Sequence, residues 1–455
     1  MKANLEHDIG TLAAIVRRAA QPLQGRIDDF EVVLSRARFA QLVLIGEASH
    51  GTHDFYRVRC ELTKQLIREG RVSAVVVEAD WPDTWPVHRY VTGRADAAET
   101  AADALGAFRR FPQWMWRNAD VLDFVGWLRA HNEGLPPSQR VGFLGMDLYG
   151  LHASIDAVVR YLDSVDPEAA ERARARYRCF DAGGVDPQRY GRLASLGLTP
   201  SCERAVVEQL RELQEHAGAL LRRDGLIAAE DRFFVEQNAR LIRNAEHYYR
   251  VMFGHPAASW NVRDRHMVDM VLALQQFLRS ERRSGALVLW AHNSHLGDAR
   301  ATEMHELGEL NVGQLVRERF GPAATLMGFT SFDGTVTAAT SWDGPAQCMQ
   351  VRPALPQSYE ALFHAVVADM PSHNALFDLT VTDDAVRALS APRLERAIGV
   401  IYRPETERHS HYFASRLPAQ FDFVAHLDHT RAVEPLERYG TWSPLELPET
   451  YPSTL

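Results

Sequence analysis

Four short stretches constrain what this chain can fold into. "QLVLIGE" (Gln41 to Glu47), "VSAVVVEAD" (Val72 to Asp80), "RVGFLGMDL" (Arg140 to Leu148) and "ALVLWAHNSH" (Ala286 to His295) are each continuously apolar over four to six residues. Runs of that length, rich in β-branched side chains, read as strands buried on both faces, the pattern of a parallel sheet. "AATLMGF", "AIGVIYR" and "FDFVAHLD" read as further strands.

Helical patterns separate the strands. Phe55, Val58, Leu62 and Leu66 recur at helical spacing between the first two. The longest helical region spans Glu203 to Arg283, broken near Gly254 and Pro256. It is too long for a simple crossover, so it reads as an insertion starting near Leu151. The expected fold class is α/β, a central and mostly parallel sheet flanked by helices, with a large helical insertion or layer. Residues 1–150 and 284–455 then form the α/β core with the active-site strand tips, and 151–283 the helical subdomain.

Composition narrows the class of function. The net charge of -9 argues against nucleic acid as a partner. Four scattered cysteines (Cys60, Cys179, Cys202 and Cys348) without a CxxC spacing argue against a disulfide framework or a thiolate zinc site. No segment approaches the apolar length of a membrane span, and the N-terminal stretch lacks the pattern of a signal peptide. The expected location is cytoplasmic and the expected partner a small molecule. Oligomeric state is not legible.

Each of the four strands runs directly into polar residues: Glu47 and His50, Glu78 and Asp80, Asp147, then His292 and His295. In open α/β sheets, ligands bind outside the carboxyl ends of the parallel strands, so these tips converge on one crevice. Asp80 and Asp147 equally fit the plain role of helix cap or turn former. Glu78 follows an apolar run, and a buried carboxylate needs a partner. Arg59 lies near the start of a helix, where the macrodipole disfavours a cation. A reach into the crevice toward Glu47 or Glu78 accounts for it, whereas Arg57 reads as solvated.

Three chemistries are compatible with these residues. In a Gly-x-Ser-x-Gly elbow Ser49 would be a nucleophile, but Gly46 stands three residues before it instead of two. Glu47, His50, Glu78, His292 and His295 are ligand types for a divalent metal, without a diagnostic spacing. Direct general-base catalysis needs neither: His50, oriented by Glu47, activates water, and His292 or His295 with Arg59 stabilises the oxyanion or protonates the leaving group. Trp81, Trp85, Trp114 and Trp116 are expected in loops after the second strand. Trp81, Trp114 and Trp116, with Asp147 and Arg263, are candidate substrate contacts, although aromatic packing explains the tryptophans as well. Arg263, Asp264 and Arg265 either line the cleft or form helix-surface ion pairs.

"LIGEASHGTHDFYRVR", "VVVEADWP", "FPQWMWRN" and "WAHNSHLG" together resemble the erythromycin esterase family, a group that also takes in proteins named for succinoglycan biosynthesis. "NVRDRHM" and "IYRPETERHSHYF" are similar to that family's pattern too. The resemblance implies an α/β core with a helical layer and an acidic cleft. It implies metal-independent hydrolysis of an ester or lactone, of macrolides in the resistance enzymes that inactivate those antibiotics. By resemblance His50 is the general base and Glu47 the carboxylate beside it. Arg59 and Glu78 support them, His292 is the histidine of a second strand with His295 close behind, and Ser49 is a small residue rather than a nucleophile. No cofactor is expected. The wider superfamily holds metal-dependent and haem-binding members on a related Gly-Glu-x-x-His motif, so a divalent-metal hydrolase and a non-catalytic haem or ligand binder are the alternatives. The roles of His409 and His411 are not legible.

Overall fold

Successive residues of a strand point to opposite faces of its sheet, and the apolar runs bury both. In the computed structural model, which describes residues 2–184, 186–224 and 226–437, Leu42, Leu44, Val76, Leu287 and Leu289 enter one core. Val43, Ile45, Val75, Val77, Val288 and Trp290 enter another, on the opposite face. The central sheet has eight strands: β1 (Ala20–Pro22), β2 (Leu42–Ile45), β3 (Val72–Asp80), β4 (Gly142–Asp147), β5 (Ala286–Trp290), β6 (Ala324–Thr330), β7 (Asn374–Asp378) and β8 (Phe423–Leu427). Their order is β1-β7-β8-β6-β2-β5-β3-β4. Neighbours from β8 to β4 are parallel, and β7 pairs antiparallel with both β1 and β8. The fold is α/β with a mostly parallel sheet.

Helices cover both faces. The helix His53–Arg68 lays Phe55, Val58, Leu62 and Leu66 on one face, joined there by Ala119–Asn132. The other face is covered by the long helical block, including Leu151–Val165, Leu226–Val251 and Pro256–Ser280. That block shares a continuous core with the sheet: Tyr177, Tyr190, Leu241 and Met267 belong to the same buried cluster as Leu42 and Val76.

Three local expectations need correction. "AIGVIYR" forms no strand: Ile398 and Ile401 make single bridges to Ser49 and Ala339, and the strand lies just upstream at Arg393–Arg396. Trp81 and Trp85 are in a helix, Trp81–Val91, which starts immediately after the last residue of β3. Among the cysteines one pair does meet, Cys179 with Cys202 in the helical block, while Cys60 and Cys348 are free. Sequence spacing carries no sign of this pair because packing of two separate segments brings it together. Among the described residues no helix is long and apolar enough to cross a membrane.

Candidate active site

The tips of β2, β3, β4 and β5 converge. After β2 the chain turns sharply at Gly46 to Gly51, and two close approaches require the glycines. A Cβ at Gly46 would meet the Asn293 amide oxygen, and one at Gly51 the backbone carbonyl of Thr337. The turn is tied to neighbouring segments by bonds from Asn293 N–H to the Glu47 carbonyl (2.8 Å) and from Ile398 N–H to the Ala48 carbonyl (2.9 Å).

Within this turn Glu47 Oε1 lies 2.8 Å from His50 Nδ1. A carboxylate only accepts, so Nδ1 carries the hydrogen and Nε2 is the basic nitrogen. Glu47 Oε2 pairs with Arg59 Nη1 at 2.8 Å, and neither side chain has any exposed surface. The guanidinium lies over Tyr56 and Trp290. Arg59 thus reaches Glu47, as expected, but as a fully buried ion pair.

His50 Nε2 stands 4.0 Å from Glu78 Oε1. Glu78, at the tip of β3, accepts from the His292 backbone N–H (2.8 Å) and from Arg263 Nη2 (2.8 Å). Burial pushes its carboxyl up, but the charges of His295, His50 and Arg263 outweigh burial and hold it well below the ordinary carboxylate range. Arg263 also donates to both oxygens of Asp147, at 3.0 and 2.7 Å, a bidentate clamp across the tip of β4.

The two histidines after β5 differ. His292 Nδ1 accepts from the Ser294 backbone N–H at 3.2 Å, which puts the proton of the neutral ring on Nε2. Burial, aided by His50, pushes its pKa down to about 3. Nε2 is buried without a hydrogen bond of normal geometry; the Ala48 carbonyl nearby only favours a proton there. The rings of His50 and His292 are 4.9 Å apart. His295 is the opposite case. Burial disfavours its charge, but Asp264, 2.9 Å from Nδ1, and Glu78, 3.3 Å from Nε2, raise its pKa to about 9. Trp260 stacks on this ring at 4.3 Å. Arg263 Nη1 stands 3.1 Å from His295 Nε2. Both atoms carry hydrogens once the ring is charged, so this is a like-charge approach, and Glu78 Oε1 between them holds the two cations together.

The structure thus brings together Glu47, His50, Arg59, Glu78, Asp147, Arg263, His292 and His295. It does not bring in the tryptophans. Trp81 donates to the Phe234 carbonyl (3.0 Å) and packs on Phe233, while Trp114 and Trp116 are buried in the core beneath the other face. Asp80 pairs with Arg110. Asp264 is a full partner of His295, and Arg265 is exposed. Trp260 and Glu309 were not anticipated. Glu309 is buried, and burial together with Asp264 pushes its carboxyl up to about 7. His411 Nε2 accepts from the Arg403 N–H, a structural role, and His409 is exposed. Among the described residues no group of three His, Cys, Asp or Glu side chains is placed to hold a metal ion.

Known proteins share this architecture. A protein from Bacillus cereus superposes with a TM-score of 0.77 at 17% identity, covering 94% of this chain and 99% of its own. A succinoglycan biosynthesis protein gives 0.74 at 17% identity, over 93% and 98% of the two chains. A mutant of the erythromycin esterase EreC in its open conformation gives 0.63 at 15% identity, over 91% and 96%. Identities this low carry the fold alone. The erythromycin esterase family model matches residues 67–430, which takes in the tips of β3, β4 and β5 and leaves Glu47, His50 and Arg59 just upstream. With well over half of its length matched, the chain belongs to the erythromycin esterase family.

Proposed function

We propose that the protein hydrolyses carboxylic esters or macrolide-type lactones by general-base activation of water at His50, without a metal. The observation that carries this reading is the Arg59–Glu47–His50 series, in which a buried ion pair holds the carboxylate that sets the His50 tautomer. His50 Nε2 takes a proton from water, and the resulting hydroxide adds to the carbonyl carbon. The neutral His292 Nε2–H donates to the developing oxyanion. Collapse of the adduct expels the alkoxide, which recovers the proton from His50, leaving acid and alcohol.

Charge supports the step. Two carboxylates flank His50, Glu47 at 2.8 Å from Nδ1 and Glu78 at 4.0 Å from Nε2. Their negative charge favours the imidazolium that base catalysis creates.

The test is a panel of aryl esters, small lactones and macrolide lactones, run on wild type and His50→Ala with and without chelator. A loss of roughly 10²–10⁴-fold in kcat/KM is expected for His50→Ala, with chelation leaving the wild type unaffected. Ser49→Ala retains most activity. Labelling of Ser49 by a covalent serine probe, together with an inactive Ser49→Ala protein, would falsify the water mechanism.

A further inference from the structure

The end of the sheet opposite this cluster carries a feature of its own. The segments entering β2, β3 and β5 surround a cavity of about 330 Å³, whose lining includes Arg38, Phe39, Gln41, Arg71, Arg279 and Arg283 and no aspartate or glutamate. Its volume lies in the range of small-molecule sites. Four arginines line it in a chain of net charge -9, with Glu69 held on Arg38 beside them.

These arginines are not equivalent. Arg38 is committed to Glu69 and Glu31. Arg279 donates to the Gln41 side-chain carbonyl at 2.7 Å, and Arg283 to the backbone carbonyls of Ser73 (3.0 Å) and Arg140. Among the described residues no carboxylate lies within ion-pair distance of Arg71, Arg279 or Arg283. Arg283 is the one drawn in from solvent: burial lowers its pKa, with Glu281 opposing, and a guanidinium removed from water calls for a counter-charge, while Arg71 and Arg279 stand exposed at the cavity. Phe39 adds an independent sign. It is 86% exposed, the highest value among the exposed large hydrophobic residues described. An aromatic ring left in water at the edge of a basic cavity offers a flat face for a planar ligand.

We propose that this cavity binds a small planar anion bearing a phosphate group, of the nucleoside monophosphate class. Arg71 and Arg279 take the phosphate, Arg283 supplies the inner positive charge, and Phe39 stacks on the ring. Phosphate and guanidinium match as bidentate partners.

Isothermal titration of the full chain with AMP, inorganic phosphate and adenosine tests this. AMP is expected to bind at one per chain, more weakly at high salt, and adenosine far more weakly. Arg71→Glu and Arg279→Glu each lower AMP affinity at least about tenfold, the loss of one charge-assisted contact. Both side chains are exposed, so folding is not at stake. Phe39→Ala weakens AMP and leaves phosphate binding unchanged. None of these variants alters ester hydrolysis, so the result is independent of the reading of His50. No saturable AMP binding at millimolar concentration overturns the proposal. So does AMP binding that both charge reversals leave intact, or that His50→Ala abolishes.

Discussion

Arg59 has its guanidinium carbon 4.4 Å from the Tyr56 ring centroid and 4.8 Å from that of Trp290, with Glu47 as its ion-pair partner. Removing one member of such a pair strands the other charge in the core. Arg59→Met is therefore expected to cost about 3–5 kcal/mol of stability and to lower kcat by releasing Glu47 from His50. Urea unfolding and kinetics measure both. His295 gives a pH signature. Its folded pKa of about 9 lies above the ordinary imidazole value of 6.5. The folded state therefore holds the extra proton between those values. Its contribution to stability is full below pH 6.5 and is lost as pH rises through 9. His295→Gln should flatten the fall in Tm between pH 6.5 and 9. An unchanged alkaline limb would show that the ring is neutral in the folded protein.

At the scale of elements, the turn after β2 depends on what packs against it. Gly51 accepts from the N–H groups of Thr337 and Val433, both at 2.9 Å, and its missing Cβ makes room for the Thr337 carbonyl. Gly51→Ala should disrupt the turn more than Ser49→Ala does, with lower Tm and lower activity together. A Gly51→Ala protein with wild-type Tm would mean that the strand Asp333–Ala338 can retreat. The four strand tips were legible because runs buried on both faces leave a continuous apolar signature. Arg59 was legible as an anomaly, a cation at the wrong end of its helix. The tryptophans were not, since an aromatic cluster reads alike whether it lines a cleft or fills a core. "AIGVIYR" is apolar enough for a strand, yet it pairs only through single bridges at Ser49 and Ala339.

Across the whole molecule, the helical block contributes to the site as well as to the core, because Pro256–Ser280 carries both Arg263 and Asp264. The Cys179–Cys202 bridge spans 23 residues within that block. Replacing both cysteines by serine should cost about 3 kcal/mol through the freed unfolded chain and leave kcat at 25 °C unchanged, because neither sulfur touches the cluster. Unfolding midpoints with and without reductant report the difference.

The sequence by itself determined the α/β class, the parallel strands and the convergence of Glu47, His50, Glu78, Asp147, His292 and His295 on one edge. Those follow from local periodicity and from where polarity begins along each strand. Only the tertiary structure decided the partners: Arg59 on Glu47, Arg263 bridging Glu78 and Asp147, Asp264 on His295. These pairs join residues from 12 to 185 positions apart. Such pairing depends on how helices seat on a sheet, and the same seating makes His292 a neutral donor and His295 a cation three residues later.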